Sequence, residues 1–185
     1  MQARMVILDT NGVINHRRKN DVTTVAEWEP IAGSIEAISR LKKAGYLVTV
    51  ASNHSGIARG HYSEADLKAM HDKLEKLLAT RGASIDGFFY CPHGPEANCI
   101  CRKPKPGLLF QIARQFQIDL SQTPVVGDNI SDIQAAKMAN AKPVLVRTGK
   151  GEYVMQHFPE ALDVPVYDDL AHFVRDTLRN KQASV

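Results

Sequence analysis

The sequence predicts an α/β fold, a doubly wound parallel sheet in which each strand leads to the next through a helix. Short apolar runs alternate with segments of helical periodicity along the 185 residues, which is typical of parallel strands joined by helical crossovers. The strand-like runs are continuously apolar, which indicates that helices cover both faces of the sheet. Polar residues follow several of these runs, at the sheet edge where parallel sheets bind their ligands.

We expect a single domain over residues 1–185, because a chain of this length forms one full core. The sequence contains no internal repeat, no low-complexity segment and no insertion long enough for a large cap domain. We therefore expect an open site whose shape is set by loops.

The first two strands and the helix between them follow from simple patterns. The strands are predicted at the apolar runs of residues 5–8 and 47–51. Ser34 is predicted as the N-cap of the helix and Gly45 as its end, because these residue types favour the two helix ends. The apolar face of this helix consists of Ile35, Ile38 and Leu41.

A second helix is predicted after Ser63. Asp66 follows three residues later, which is a variant of the capping box that satisfies the first backbone amides of a helix. The apolar stripe at helical spacing consists of Leu67, Met70, Leu74, Leu77 and Leu78. A short strand at residues 87–90 then leads into a group of cysteines.

The second half of the chain continues the alternation. Pro106 favours the first turn of a helix, and a further helix is predicted to end near Asn140. The last helix is predicted from Asp169 to about Arg179, followed by a frayed tail at residues 181–185. The strands between these helices are predicted at residues 124–126, 143–146 and 164–167.

Composition and charge exclude several classes of protein. The net charge of +3 is too small to indicate a nucleic-acid partner, although it suits an anionic substrate. No apolar run approaches the roughly 18–20 residues that a membrane span requires. Residues 1–4 lead directly into the first strand without the pattern of a signal peptide. We therefore expect a cytoplasmic monomer with no nucleic-acid or membrane partner.

The three cysteines, Cys91, Cys99 and Cys101, lie close together in the sequence. An odd, clustered set does not indicate a disulfide framework, and the Pro, Gly and Asn residues around them argue against free cysteines in a core. With His93 they supply three sulfur ligands and one imidazole, a tetrahedral set that suits structural Zn²⁺. We predict a zinc-binding loop at residues 91–101 that positions the basic residues after it.

Four polar positions follow apolar runs or a loop: Asp9, Ser52 with Asn53, Lys103 and Asp128. Taken alone, each is an ordinary turn, loop or surface residue. Because the carboxyl ends of parallel strands lie at one edge of the sheet, the four together predict one site. Its two carboxylates can share a Mg²⁺ ion, which prefers oxygen ligands, and its lysine can stabilise developing negative charge.

The segment Asp9-Thr10-Asn11-Gly12 resembles motif I of the haloacid dehalogenase (HAD) phosphatase superfamily, Asp-x-Asp-Gly. The resemblance implies a Rossmann-like core in which Asp9 attacks phosphorus and forms an aspartyl-phosphate. It also implies that Mg²⁺ is bound by Asp9, by Asp128 and by the backbone carbonyl of Asn11. Asn11 takes the position of the second Asp, which is the general acid-base of the superfamily.

Longer segments resemble one branch of that superfamily, the D-glycero-D-manno-heptose-1,7-bisphosphate 7-phosphatases. They are residues 52–60, Ser-Asn-His-Ser-Gly-Ile-Ala-Arg-Gly, with Cys91-Pro92-His93 and Cys99-Ile100-Cys101-Arg102-Lys103-Pro104. The resemblance implies a Mg²⁺-dependent phosphomonoesterase acting on the 7-phosphate of a small phosphorylated sugar. Its phosphate-binding residues would be Ser52, Asn53, His54, Ser55, Arg102 and Lys103. Histidinol-phosphate phosphatases share much of this pattern and are the alternative.

Three residues depart from the family pattern. An amide at Asn11 cannot transfer a proton, and loss of a general acid-base typically costs about 10²–10⁴ in rate. Arg17, in the basic run Arg17-Arg18-Lys19, replaces a usual acidic residue, and His54 replaces Gln. The basic run is either a solvated charge cluster or a loop for a more anionic substrate. The sequence is compatible with an engineered variant, a weakly active or substrate-shifted enzyme, and a phosphosugar-binding pseudo-enzyme.

Overall fold

A computed structural model describes residues 3–19, 21–161 and 163–182 of the chain. The described residues form a six-stranded sheet in which all neighbouring strands are parallel. The strands are β1 (Met5–Leu8), β2 (Leu47–Asn53), β3 (Gly87–Cys91), β4 (Pro124–Gly127), β5 (Lys142–Val146) and β6 (Val166–Tyr167). Their order, β3-β2-β1-β4-β5-β6, reverses between β1 and β4, so the switch point lies at the centre of the sheet.

Helices connect and cover these strands. In the described ranges they are α1 (Ser34–Lys43), α2 (Ser55–Ala58), α3 (Glu64–Ala79), α4 (Gly107–Phe116), α5 (Ile130–Met138), α6 (Gly151–His157) and α7 (Leu170–Gln182). Short 3-10 turns lie at Pro95–Ala97, Leu120–Gln122 and Pro159–Ala161. The alternation confirms the predicted doubly wound α/β fold, and no large cap domain interrupts it within the described ranges.

The central strand β1 shows why its residues are all apolar. Val6 and Leu8 belong to the core that contains residues of α1, α3 and α7, whereas Met5 and Ile7 belong to the core that contains residues of α4 and α5. None of the four is more than 3% exposed. Helices therefore cover the sheet on both faces, as the continuous apolar runs predict.

One predicted helix start is confirmed and another is wrong by one residue. At α3, Asp66 N donates to Ser63 Oγ and Ser63 N donates to Asp66 Oδ2, so the capping box is present. At α1, the N-cap is Gly33, with φ of 82°, and Ser34 is the first helical residue. The Ser34 hydroxyl instead donates a 2.7 Å hydrogen bond to the carbonyl of Ile14, because the loop after β1 packs against the start of the helix.

The remaining differences concern two short helices, the end of α7 and the last strand, where β6 forms only at Val166–Tyr167 of the predicted residues 164–167. The sequence pattern does not predict α2 and α6, because they have 4 and 7 residues, too few for an apolar stripe to repeat. Helix α7 continues to Gln182, and residues 183–185 of the predicted frayed tail lie outside the described residues. In the part of the chain that the structure describes, no helix is long and apolar enough to cross a membrane.

Candidate active site

Asp9 lies at the carboxyl end of β1, beside the end of β4. Its backbone amide donates a 2.9 Å hydrogen bond to the carbonyl of Val126. The chain then turns at Gly12, where φ is 91°. A Cβ on Gly12 would lie 2.1 Å from an oxygen of Asp128, so glycine is required for this close approach. The structure thus brings Asp9 and Asp128 together at the switch point of the sheet.

Lys103 is the buried cation of this site. Its ammonium group donates to Asp9 Oδ1 at 3.0 Å, to Asp132 Oδ1 at 2.5 Å and to the carbonyl of Ala51 at 2.7 Å. The residue is 4% exposed. Burial disfavours the charged form, but the carboxylates of Asp132 and Asp9 raise the pKa of Lys103 above its ordinary value. Lys103 therefore stays charged at neutral pH, next to an oxygen of Asp9.

Asp132 is a site residue that the sequence analysis missed. It lies in the first turn of α5, and its Oδ2 accepts a 3.0 Å hydrogen bond from the backbone amide of Asn129. Burial raises the pKa of the Asp132 carboxyl, and the ammonium group of Lys103 only partly offsets this effect. The sequence feature that could have identified Asp132 is its position, one helical turn after Asp128 and at the start of the helix that follows β4.

Asn53, at the end of β2, holds the main chain of Lys103. Its Nδ2 donates to the Lys103 carbonyl at 2.9 Å, and its Oδ1 accepts from the Lys103 amide at 3.0 Å. This reciprocal pair fixes the loop that carries Lys103 relative to the sheet. Asn53 was predicted to bind phosphate, and it does line the cleft, but its amide group is already engaged in positioning Lys103.

The carboxylate of Asp128 is paired with Arg17. The Nε and Nη2 atoms of Arg17 donate to Asp128 Oδ2 and Oδ1, each at 3.0 Å. The backbone amide of Lys150 donates to Oδ2 as well, at 2.9 Å. Arg17 Nη2 also donates to the carbonyl of Asn11 at 3.1 Å. The first residue of the basic run is therefore part of the site, whereas Arg18 and Lys19 are exposed.

Asn11 is half-buried at the edge of the cleft. Its Oδ1 accepts a 2.8 Å hydrogen bond from Nδ2 of Asn15, which is fully buried. A carboxylate at position 11 could accept the same hydrogen bond. The amide therefore keeps the shape and the support of the expected Asp, and what it lacks is a titratable proton.

The cleft around these residues has a volume of about 500 Å³. Among the described residues, its walls carry more cations than anions. The cations are Arg17, Arg18, Lys19, Arg59, Arg102, Lys103 and Lys150, and the carboxylates are Asp9, Asp21 and Asp132. Such a surplus of positive charge favours an anionic ligand over a neutral one.

The side chains predicted to bind phosphate do not all face this cleft. Those that line it are Asn53, Ser55, Arg102 and Lys103. Ser52 and His54 are only 1% and 5% exposed, and the His54 Nδ1 atom lies 2.8 Å from the hydroxyl of Tyr62. Burial lowers the pKa of His54 to about 4, so this imidazole is neutral at pH 7. Contacts of Ser52 and His54 with phosphate stay predictions.

The predicted zinc ligands also converge. The sulfur atoms of Cys91, Cys99 and Cys101 lie 3.2–3.5 Å from one another. The His93 Nδ1 atom lies 3.6 Å from Cys91 Sγ and 3.3 Å from Cys101 Sγ. These separations exceed the about 2 Å of a disulfide bond and are close to the edges of a tetrahedron with Zn–S bonds of about 2.3 Å.

The cysteine cluster is joined directly to the cleft. Arg102, the residue after Cys101, donates from Nη1 to the carbonyl of His93 at 3.1 Å. Although burial opposes ionisation, hydrogen bonds from Cys101 and from the backbone of Arg102 lower the pKa of Cys99 to about 6. The cluster thus favours at least one thiolate and holds the segment that supplies Arg102 and Lys103 to the cleft.

Comparison with known proteins places the chain in a family. A family model described as HAD-hydrolase-like matches residues 100–173. The D-glycero-beta-D-manno-heptose-1,7-bisphosphate 7-phosphatase of Pseudomonas putida is 47% identical over 176 residues, which cover 95% of this chain and 99% of the relative. The chain belongs to this family of HAD phosphatases. The heptose-bisphosphate phosphatase of Pseudomonas aeruginosa is 48% identical over 92% of this chain and 96% of its own length.

Solved structures of heptose-bisphosphate phosphatases have the same fold. The enzyme of Bordetella bronchiseptica, complexed with magnesium and phosphate, gives a TM-score of 0.93 at 41% identity, covering 96% of this chain and 99% of that one. The enzyme of Burkholderia thailandensis gives a TM-score of 0.72 at 40% identity, covering 95% and 98%. The resemblance to HAD phosphatases, and to this branch in particular, is therefore confirmed.

Proposed function

We propose that this phosphatase removes the 7-phosphate of D-glycero-β-D-manno-heptose 1,7-bisphosphate, the compound for which its relatives are named. The observation that carries the proposal is the cationic cleft around the pair of Asp9 and Lys103. A sugar with two phosphates can place one of them at Asp9 and the other against the remaining cations. A singly phosphorylated sugar has no second phosphate to pair with the cations that are not already paired with carboxylates.

Asp9 is the proposed nucleophile. One of its carboxylate oxygens attacks phosphorus, the P–O bond to the sugar breaks, and the sugar leaves as an alkoxide that takes up a proton. Water then attacks the phosphorus of the aspartyl-phosphate, which releases inorganic phosphate and restores Asp9. Lys103 remains charged beside Asp9 in both steps and stabilises the negative charge of the phosphoryl oxygens.

The carboxylates of the site fit a Mg²⁺ ion. Oxygens of Asp9, Asp128 and Asp132 lie within 4.8 Å of one another, and the carbonyl of Asn11 lies close to Asp128, because Arg17 bonds to both. We propose that Asp9, Asp128 and the Asn11 carbonyl hold the ion, in keeping with the magnesium in the Bordetella bronchiseptica structure. Bound there, Mg²⁺ would neutralise charge on the phosphoryl oxygens.

The thiolates and imidazole of the cysteine cluster fit Zn²⁺. We propose that Cys91, His93, Cys99 and Cys101 bind one zinc ion as a closed set of four ligands. A closed site has no open position for a substrate, so its role is structural. It fixes the loop that supplies Arg102 and Lys103 to the cleft, as the bond from Arg102 to the His93 carbonyl indicates.

Asn11 favours a second candidate function, a phosphosugar-binding protein with little turnover. An amide cannot protonate the leaving alkoxide, and sugar alkoxides are poor leaving groups. Loss of this general acid is expected to reduce the rate by about 10²–10⁴. Ligand binding would be retained, because the bond from Asn15 holds Asn11 in place and the Mg²⁺ ligand at this position is the backbone carbonyl.

Phosphate release from a panel of sugar phosphates separates the two functions. We expect Asn11→Asp to increase turnover of the heptose bisphosphate by about 10²-fold or more. Aryl and acyl phosphates should gain less, because their leaving groups need less protonation. Asn129→Asp is the matched control, since it adds the same charge to another position of the cleft wall and should change turnover little.

The assay requires mass spectrometry of the peptide around residue 11. Asn11-Gly12 is a sequence prone to deamidation, and deamidated protein would itself contain Asp at this position. Equal turnover of the heptose bisphosphate by intact protein and by Asn11→Asp would show that residue 11 is not the general acid. Turnover near the background in the unaltered chain, with tight binding of the sugar phosphate, would instead support the binding function.

We further propose that the chain acts as a cytoplasmic monomer without a nucleic-acid or membrane partner. The free thiols of Cys91, Cys99 and Cys101 suit a reducing compartment, and the net charge of +3 is small. Sedimentation of the purified chain at micromolar concentration tests whether the chain is a monomer.

A further inference from the structure

The guanidinium group of Arg17 binds the oxygens that are proposed to hold Mg²⁺. It donates to both carboxylate oxygens of Asp128 and to the carbonyl of Asn11. Among the proposed magnesium ligands, Arg17 does not contact Asp9. The Oδ1 atom of Asp9 instead accepts a hydrogen bond from Lys103. A metal ion bound to these oxygens would compete with the guanidinium group for them.

This placement distinguishes Arg17 from the rest of the basic run. The side chain of Arg17 is 28% exposed and that of Asp128 is 0% exposed, so the pair is largely withdrawn from water. Arg18 is exposed and lines the same cleft, yet the described residues give it no hydrogen bond or salt bridge. A solvated charge run would not place one member on a buried carboxylate 111 positions away.

We propose that Arg17 is a built-in competitor of Mg²⁺, and that it leaves Asp128 to bind an anionic group of the ligand when the metal ion binds. The inference rests on the proposed magnesium site. Arg17 lines the cleft together with Lys19 and Lys150, so its guanidinium can turn towards an anion without leaving the site. Its planar fork matches phosphate oxygens as well as it matches a carboxylate.

Competition between Arg17 and Mg²⁺ for Asp128, together with the turn of Arg17 towards an anion, has a thermodynamic consequence. An anion that holds Arg17 away from Asp128 tightens Mg²⁺ binding, and Mg²⁺ tightens anion binding by the same factor, because coupling between two sites is reciprocal. The chain therefore favours the simultaneous presence of metal and phosphate over binding of either alone. An acidic residue at position 17 would have no such effect.

The test is isothermal titration of the full chain with Mg²⁺, in the presence and absence of inorganic phosphate. We expect Arg17→Ala to tighten Mg²⁺ binding by about 10-fold or more and to reduce the tightening that phosphate causes in the unaltered chain to the part that comes from direct attraction between Mg²⁺ and phosphate. Arg18→Ala is the matched control, because it removes the same charge from the neighbouring position. It should change the Mg²⁺ affinity by less than about 3-fold at physiological salt, where exposed charges are screened.

Thermal unfolding gives a second readout that needs no binding titration. Without Mg²⁺, Arg17→Ala leaves the buried Asp128 without its cation and should melt at a lower temperature. Added Mg²⁺ should raise the melting temperature of this variant more than that of the unaltered chain. If Arg17→Ala does not fold, Arg17→Lys keeps the charge but loses the fork, and it should show a smaller change in the same direction.

The possible failures are distinguishable. Equal Mg²⁺ affinity in the unaltered chain, Arg17→Ala and Arg18→Ala would overturn the inference and leave the magnesium site standing. An equal increase in Mg²⁺ affinity in Arg17→Ala and Arg18→Ala would also overturn the inference, because the loss of any positive charge would then have the same effect. No Mg²⁺ binding by any of the three proteins would overturn both the inference and the proposed site.

Discussion

The carboxylate centre (Asp9, Asp128 and Asp132) and the cysteine centre (Cys91, His93, Cys99 and Cys101) are the two proposed metal sites, and they are built in different ways. Cys91 and Cys101 are 10 positions apart, so one loop brings the sulfur ligands together. In the carboxylate centre, Lys103 and Asp9 are 94 positions apart, and they meet only because β1, β2 and β4 end at the same edge of the sheet. The first centre depends on local chain geometry, and the second depends on the complete fold.

The two centres also differ in what balances their charge. The carboxylates are paired with cations of the chain itself, since Lys103 binds Asp9 and Asp132, and Arg17 binds Asp128. The cysteine sulfur atoms contact one another and His93. We therefore expect the carboxylate centre to keep its shape without a metal ion, and the cysteine loop to depend on the proposed zinc ion for stability.

The largest effect should come from removing the internal cation of the carboxylate centre. Lys103→Gln leaves Asp9 and Asp132 buried without a counter-charge, and loss of one partner of a buried pair typically costs about 3–5 kcal/mol. Urea unfolding measures this loss. Lys105→Gln is the control, because Lys105 makes exposed contacts to Asn98 and should cost less than about 1 kcal/mol. Equal costs would show that Lys103 does not stabilise the centre.

A smaller effect is expected when the cysteine centre loses a ligand. Protein purified without added metal should contain about one zinc ion per chain, and Cys99→Ser should contain less. The melting temperature should fall by about 5 °C or more, which corresponds to ~2 kcal/mol for a chain of this size. A chelator should lower the melting temperature of the unaltered chain but not that of Cys99→Ser. An unchanged melting temperature, with no zinc found, would contradict the proposed site.

The smallest effect at pH 7 concerns His54, whose backbone amide donates a 2.8 Å hydrogen bond to the Cys91 carbonyl. Burial lowers its pKa to about 4 in the folded chain, whereas the unfolded value is about 6.5. Between these values the unfolded chain binds the additional proton, so stability falls as the pH falls from about 6.5 towards 4. At pH 5 this loss amounts to about 2 kcal/mol.

The variant His54→Gln removes this titration. Urea unfolding measures the free energy of unfolding at pH 7 and at pH 5. The decrease in this free energy from pH 7 to pH 5 should be about 2 kcal/mol smaller in the variant than in the unaltered chain. His157→Gln, at an exposed position, is the control and should leave the difference unchanged. A pH dependence that is the same in all three proteins would mean that His54 is not a buried neutral imidazole.

Much of the fold could be predicted because its signals are local. The apolar runs of β1 and β2, the capping box of Ser63 and Asp66, and the alternation of strands and helices all depend on residues close together in the chain. The start of helix α1 could not be predicted in this way. Its N-cap is Gly33 and not the predicted Ser34, because the Ser34 hydroxyl donates to the carbonyl of Ile14, a residue distant in the chain.

By itself the sequence determined the fold class and the family motifs, and it predicted the two ligand sets, because those depend on residue type, spacing and strand ends. Only the tertiary structure decided how the side chains share their charges and hydrogen bonds. It placed Arg17 on Asp128, used Asn53 to hold Lys103, and added Asp132 as a third carboxylate. It also buried His54 away from the cleft. These pairings join distant parts of the chain, so they exist only once the sheet has brought the ends of its strands together.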